Sequence, residues 1–260
     1  MLGPPQIAWR CETFLLARRQ ARALLYYLAN AFAPVPRDRL LFLFWPDEPD
    51  VKARRNLTRL ISYLRKELPQ AEILLAAHES LWLNPELVSV DTQHFTELCT
   101  EAATQEEAVA LYQGPFLMGF SFGGSPEFDF WLSEEQRHYE GLYLKTLAGL
   151  VRTKTEQHEL ASAIQYAQQY LAVDPLAEEI HQELITLHAA NGDRTAALKQ
   201  YETCVEVLER ELGVSPLPET HAAFEAARKG RSIPAHSLPI RPAWTVLPSL
   251  ELPLVGREAA

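Results

Sequence analysis

Apolar positions between Asp50 and Glu67 recur with the period of a helix. At about 100° per residue, Ala53, Leu57, Leu60, Ile61 and Leu64 fall on one side, the core-facing stripe of an amphipathic helix. Arg55, Ser62 and Lys66 fall on the opposite side, flanked by Arg59 and, less centrally, by Thr58 and Lys52. Arg54 and Arg65 stand on the shoulder of the stripe. Ahead of this segment, Arg37–Phe44 reads as a short apolar helix that Pro46 stops. Further upstream, Leu24, Leu25, Tyr27 and Leu28 mark a helix over Arg19–Ala31 that ends before Pro34.

Residues 5–16 alternate weakly and carry Ile7, Trp9 and Phe14-Leu15-Leu16, which predicts short strands. After Pro69, the apolar run Glu72-Ile73-Leu74-Leu75, the turn Ala77-His78-Glu79-Ser80 and the run Leu81-Trp82-Leu83 predict a β-hairpin. A new helix opens near Thr92. Strands, three helices and a hairpin, in that order, make a winged helix-turn-helix.

The second half is helical and repetitive. Gln157–Val173 and Asn191–Val207 superpose at an offset of 34 residues, which aligns Ala163 with Ala197, Ile164 with Leu198 and Ala167 with Tyr201. A helix-turn-helix period of about 34 residues, with alanine at the close-packing sites, is the signature of tetratricopeptide repeats. Such units stack into a solenoid that presents a groove to a partner. A non-repeating helical bundle is the alternative. From Arg231 to Pro253 there are five prolines and little helical periodicity, which predicts a semi-rigid linker.

Charge sharpens this division. Residues 1–68 hold twelve Lys/Arg and six Asp/Glu, a balance of +6; the chain as a whole carries −10, so residues 69–260 carry −16. Cationic charge confined to the N-terminal quarter supplies the electrostatic term on which nucleic-acid affinity depends. The acidic remainder excludes itself from DNA or an anionic membrane. Length and a 47% hydrophobic content allow two cores. No apolar run approaches the roughly 18–20 residues of a membrane span. Met1-Leu2-Gly3-Pro4-Pro5 lacks the regions of a signal peptide. Cys11, Cys99 and Cys204 are odd in number and far apart, which fits a reducing cytoplasm.

The helix over 50–67 carries the chemistry. Arginine offers a planar fork of donors that matches guanine in the major groove, and serine or threonine serves either base type. Arg55, Arg59 and Ser62 are the expected base contacts, with Thr58 beside them. Arg54, Arg65 and Lys66 are the expected phosphate contacts. A merely solvated basic face is the bland alternative, and the setting within a basic quarter tells against it.

These residues resemble a known family. Arg37-Asp38-Arg39-Leu40, Phe44-Trp45-Pro46-Asp47, Ala53-Arg54-Arg55-Asn56-Leu57 and Ile61-Ser62-Tyr63-Leu64-Arg65-Lys66 are similar to the winged-helix DNA-binding domain of antibiotic-regulatory-protein (SARP-type) bacterial activators. The family's hairpin wing usually has a basic or glycine-rich turn, whereas Ala77-His78-Glu79-Ser80 contains no Arg or Lys, which puts a groove contact by the wing in doubt. The first strand also begins abruptly.

Phe130-Trp131-Leu132-Ser133-Glu134-Glu135-Gln136-Arg137 resembles the opening of the bacterial transcriptional activator domain. Asp174-Pro175-Leu176-Ala177-Glu178-Glu179-Ile180-His181, Asn191-Gly192-Asp193, Ala197-Leu198-Lys199-Gln200-Tyr201-Glu202 and Glu211-Leu212-Gly213-Val214-Ser215-Pro216 follow in family order and spacing. That resemblance implies a repeat domain that mediates dimerisation or contacts within the regulator. It also implies direct-repeat DNA sites bound by a homodimer, and contact with RNA polymerase. Leu254-Val255-Gly256-Arg257-Glu258 is similar to the entry of the nucleotide-binding module of large signal-transduction ATPases, which implies a fragment of a longer regulator.

The chain has no HExxH, GxGxxG, CxxC or GxxxxGK[ST], and no cofactor is expected. Its GxSxG match, Gly119-Phe120-Ser121-Phe122-Gly123, stands among glycines and aromatics that read as a loop, without the strand-to-helix turn a nucleophile needs. His181 and His188 are seven apart and read as packing or surface residues. Gly119, Gly123 and Gly124 belong to a loop between helical segments. Its aromatics Phe116, Phe120, Phe122, Phe128, Phe130 and Trp131 are expected to pin it to the core, and it is the first place to look for a small effector.

The expectation is a mainly α protein: a small α+β winged helix-turn-helix domain at 1–98, an all-α tetratricopeptide-like domain at 99–230, and a proline-rich linker at 231–260. Its expected partner is double-stranded DNA, in the cytoplasm and away from any membrane. The rival is a protein-interaction scaffold in which the repeats bind a partner and the winged helix is a docking element.

Overall fold

The structure is a computed structural model that describes residues 1–230. The predicted linker and the Leu254–Glu258 motif lie outside the described residues. The chain divides into two compact units, Met1–Leu150 and a second that begins at Val151.

In the first unit a small hairpin, β1 (Ala8–Trp9) and β2 (Glu12–Thr13), pairs only with itself. These strands are shorter than the alternation suggests. Arg10 and Cys11 turn the chain with positive φ values of 50° and 67°, and β2 is fully exposed, so no apolar face extends the ladder. Helix α1 (Arg19–Ala31) follows, then β3 (Val35–Pro36), α2 (Arg37–Phe44) and α3 (Asp50–Glu67). The prolines set these limits: Pro36 and Pro49 stand just ahead of α2 and α3, and α1 ends at Phe32 in a left-handed conformation (φ 51°).

After a 3₁₀ turn over Ala71–Ile73, where strand was predicted, come β4 (Leu74–Ala76) and β5 (Ser80–Leu83). The antiparallel sheet has the order β3-β5-β4, with Val35 opposite Leu81 and Leu75 opposite Trp82. The wing turn closes by Ala77 N–H donating to Ser80 C=O at 3.0 Å, and Arg37 N–H donates to Glu79 C=O at 2.8 Å. Beneath the sheet and helices, Leu24, Leu40, Leu57, Leu64 and Leu81 are fully buried. Burying such side chains supplies about 1.5–3 kcal/mol each in the hydrophobic term, enough to hold a small trihelical core.

The first unit continues through α4 (Asp91–Leu98), α5 (Gln105–Leu111), an irregular loop and most of α6 (Pro126–Glu156). Phe128, Phe130 and Trp131, read from sequence as loop, belong to the first turns of α6. The loop is stitched to the N-terminal residues: Gly3 N–H donates to Pro115 C=O at 3.1 Å and Leu117 N–H to Met1 C=O at 2.7 Å. Its rings then fill the space beside α1 and α2. Phe120 meets Tyr26 edge-on at 5.2 Å, Trp131 meets Tyr27 at 4.8 Å, and Phe44 takes Phe122 at 5.6 Å and Phe128 at 5.5 Å. Phe116 and Phe128 are fully buried, whereas Phe130 is 67% exposed.

The second unit contains two helical hairpins, α7 (Leu160–Val173) with α8 (Glu178–Ala190), and α9 (Arg194–Leu212) with α10 (Pro218–Arg228). The 34-residue offset holds in three dimensions. Ala163 and Ala197 are both fully buried, and each ends up one turn into its helix. The residues that turn the chain into those helices, His158 and Gly192, share a left-handed conformation with φ of 60° and 83°. Helix α8 lies against α7, α9 and α10, and the start of α8 is tied to the start of α10 by Glu178, whose carboxylate accepts from Leu217 N–H and Thr220 Oγ.

Candidate nucleic-acid interface

Helix α3 is held by its apolar stripe: Ala53, Leu57, Leu60, Ile61 and Leu64 are its buried residues, as the periodicity predicts. That anchoring turns the rest of the helix outward. Arg54, Arg55, Thr58, Arg59, Ser62, Arg65 and Lys66 are all exposed, so the structure brings the whole expected set onto one solvent-facing surface of one helix. Arg65 and Lys66 also lie in the last turn, where cations complement the helix dipole.

The seven side chains differ in what they already hold. Arg54 is engaged twice: its Nε donates to Asp50 at 2.8 Å and its Nη2 to Asp38 at 2.9 Å, which bridges α3 to α2. Both partners favour the charged guanidinium. Arg55, Arg59, Arg65 and Lys66 have no hydrogen-bond or ion-pair partner among the described residues. Thr58 Oγ donates to Arg54 C=O and Ser62 Oγ to Thr58 C=O, both at 2.9 Å. With their protons committed to the helix backbone, these two exposed hydroxyls keep only acceptor lone pairs for an outside partner.

Around this face the surroundings are mixed in charge. Lys52 pairs with Glu48 at 3.1 Å, and Asn56 donates to the same Glu48 at 2.7 Å, which pins the turn between α2 and α3. The wing tip carries no cation: His78 Nδ1 sits 2.5 Å from Glu79 Oε1 and both side chains are exposed. Two features escaped the sequence reading. Asp38 lies sixteen residues from Arg54, too far for a local rule to pair them. Arg18, just ahead of α1, places its guanidinium 4.1 Å from the centre of the Tyr63 ring on α3, and only a tertiary contact reveals it.

The model of the bacterial transcriptional activator domain matches residues 85–228, more than half of the chain. The chain belongs to the bacterial transcriptional activator domain family. The motifs that resemble SARP-type regulators lie ahead of this match, in the winged helix. The family match begins at Pro85, ahead of α4, and its residues up to Leu150 share a compact unit with the winged helix.

Among solved structures, Mycobacterium tuberculosis EmbR, determined in complex with a low affinity phosphopeptide, has the same fold. The TM-score is 0.60 at 19% identity, over 90% of this chain and 65% of that one. This chain therefore spans about two thirds of that relative's length. No curated relative matches the chain. Among the described residues no helix is long and apolar enough to cross a membrane.

Proposed function

We propose that this bacterial transcriptional activator domain protein binds duplex DNA sequence-specifically and activates transcription, with α3 lying in the major groove. The observation that carries the reading is the division of α3 into a buried apolar stripe and an exposed face with four cations that have no partner among the described residues. An unpartnered guanidinium has no ion pair to break on binding, whereas one already bridged by carboxylates must first surrender them. Arg55, Arg59 and Ser62 take base edges, with Thr58 at the margin. Arg65 and Lys66 take phosphates. Arg54 joins them by exchanging Asp38 or Asp50 for a phosphate, and otherwise sets the angle between α2 and α3.

In this reading the helical repeats support a homodimer on direct-repeat sites and contact with RNA polymerase, in the cytoplasm. No cofactor takes part. The Glu79-bearing wing tip favours one modification: groove reading by α3 alone, with the wing held back from the phosphates. The same wing tip is what favours the rival scaffold reading.

The test is a selection of the full chain against randomised duplex DNA, followed by affinity for the enriched sequence at two salt concentrations. A repeated motif bound less tightly at high salt supports the proposal, because phosphate neutralisation releases counterions. No enrichment, together with salt-independent binding, overturns it in favour of a protein-interaction scaffold.

A further inference from the structure

We infer that Arg18 is a further phosphate-binding residue of this interface, pre-set by its cation–π contact with Tyr63; the inference rests on the reading of α3 as the DNA-facing helix. Arg18 lies outside the helix that bears every other candidate contact. Its guanidinium carbon stands 4.1 Å from the centroid of the Tyr63 ring, well within the distance at which a cation is attracted to an aromatic face. Tyr63 follows Arg59 by four residues, so the two share one row of the α3 surface. The contact therefore delivers a cation from a separate chain segment to the edge of the face formed by Arg55, Arg59, Ser62 and Lys66.

The way Arg18 is held matters as much as where it is. The ring holds the guanidinium by its carbon, 4.1 Å over the centroid, without using a hydrogen bond, and a guanidinium's N–H fork matches phosphate geometry. Arg18 is exposed and has no hydrogen-bond or ion-pair partner for its side chain among the described residues. Arg54 shows the opposite arrangement, with two of its donors already given to Asp50 and Asp38. An arginine restrained by a ring and still bearing open donors loses less side-chain freedom on binding than a free one. Because phosphates carry no sequence information, the contact adds affinity and register rather than base preference.

Equilibrium binding of the full chain across a salt series, to the selected duplex and to an unrelated duplex of equal length, tests this. Arg18→Gln is expected to flatten the log–log salt dependence by about 0.9, the share of one phosphate, to weaken both duplexes by the same factor, and to melt like the parent protein. Arg18→Lys is expected to restore the slope, and Tyr63→Leu to weaken both duplexes while keeping Arg18. An Arg18→Gln protein with the parent slope, or with a loss confined to the selected duplex, overturns the inference while leaving the role of α3 standing. A parent protein whose binding to both duplexes ignores salt overturns the underlying reading as well.

Discussion

Tyr139 on α6 donates its hydroxyl proton to Asn30 Oδ1 on α1 across 2.7 Å, in a part of the first unit where both residues are buried. Burial pushes the phenol up to about 12, against the opposing effect of its hydrogen bond to Asn30. Through this bond a helix of the activator domain is fastened to the first helix of the winged domain. Replacing Tyr139 by Phe leaves the Asn30 acceptor buried without its partner, a loss of about 1–3 kcal/mol. Urea unfolding of Tyr139→Phe, Asn30→Ala and the double variant measures it. The double variant is expected to cost less than the sum of the singles, because both remove one shared bond; strict additivity would sink this account.

The aromatic cluster should behave in the same way, and with a larger amplitude. Phe128 is fully buried and touches Phe44, Phe120, Phe122 and Trp131, so Phe128→Ala is expected to cost about 3–5 kcal/mol by leaving a cavity. Phe130, two residues on and 67% exposed, is the internal control: Phe130→Ser should stay within about 0.5 kcal/mol of the parent. Thermal melts of the two variants side by side check the contrast. Equal losses would mean that the cluster is not the joint between the domains.

How much of this was legible beforehand follows from the range of each interaction. The α3 stripe was, because Ala53, Leu57, Leu60, Ile61 and Leu64 answer to a helical period that needs no knowledge of the rest of the chain. The 34-residue repeat was too, since Ala163 and Ala197 are locally equivalent. The aromatic joint was legible only by half: the ring density at Phe116–Trp131 promised burial, but Tyr26, Tyr27 and Phe44 as partners lie about a hundred residues away. The same limit hid the Arg54–Asp38 bridge, while Asp50, one helical turn from Arg54, could be foreseen. The N-terminal strands were overread because a weak alternation without a buried face does not sustain a ladder.

Acid should loosen the helical repeats. His181 is buried on α8, where one ring nitrogen lies 3.0 Å from Pro175 C=O and the other 2.7 Å from the Gln200 amide. A neutral ring satisfies both: Nε2–H donates to the carbonyl and Nδ1 accepts from the amide. Burial lowers the pKa of His181, opposed by the Pro175 carbonyl and by Glu178 and Asp174; burial lowers that of His188 as well. A histidine depressed in the folded state takes up its proton more readily when unfolded. Its stabilising contribution is therefore complete above about pH 6.5 and declines as the pH falls from there towards the depressed folded value. Urea unfolding followed from about pH 7.5 to about pH 5.5 should show that decline, and His181→Gln should flatten it. An unchanged slope in the variant would rule out His181 as its source.

Glu178 offers a separate test of the same unit. Its carboxylate accepts from Leu217 N–H, just ahead of α10, and from Thr220 Oγ, so a residue of α8 does the work of a cap for another helix. Glu178→Ala should cost about 0.5–2 kcal/mol, as the loss of a capping group does. Hydrogen exchange is expected to quicken over residues 217–221 and to stay unchanged in α7; uniform quickening across the repeats would refute a local capping role.

The sharpest prediction concerns two adjacent arginines of α3. Arg55 is exposed and has no hydrogen-bond or ion-pair partner among the described residues, whereas Arg54 gives two donors to Asp38 and Asp50. If free donors on the outer face read bases, Arg55→Ala should weaken the selected site by about 1–3 kcal/mol and relax the preference at one base pair. Arg54→Ala should leave that preference intact. Its effect should be a loss of affinity shared by all sequences, because it removes the bridge that orients α3 on α2 and a cation that reaches only phosphates. Repeating the selection with each variant separates the two. A preference lost in Arg54→Ala and retained in Arg55→Ala would reverse the assignment and mean that Asp38 and Asp50 yield their arginine to a base when DNA arrives.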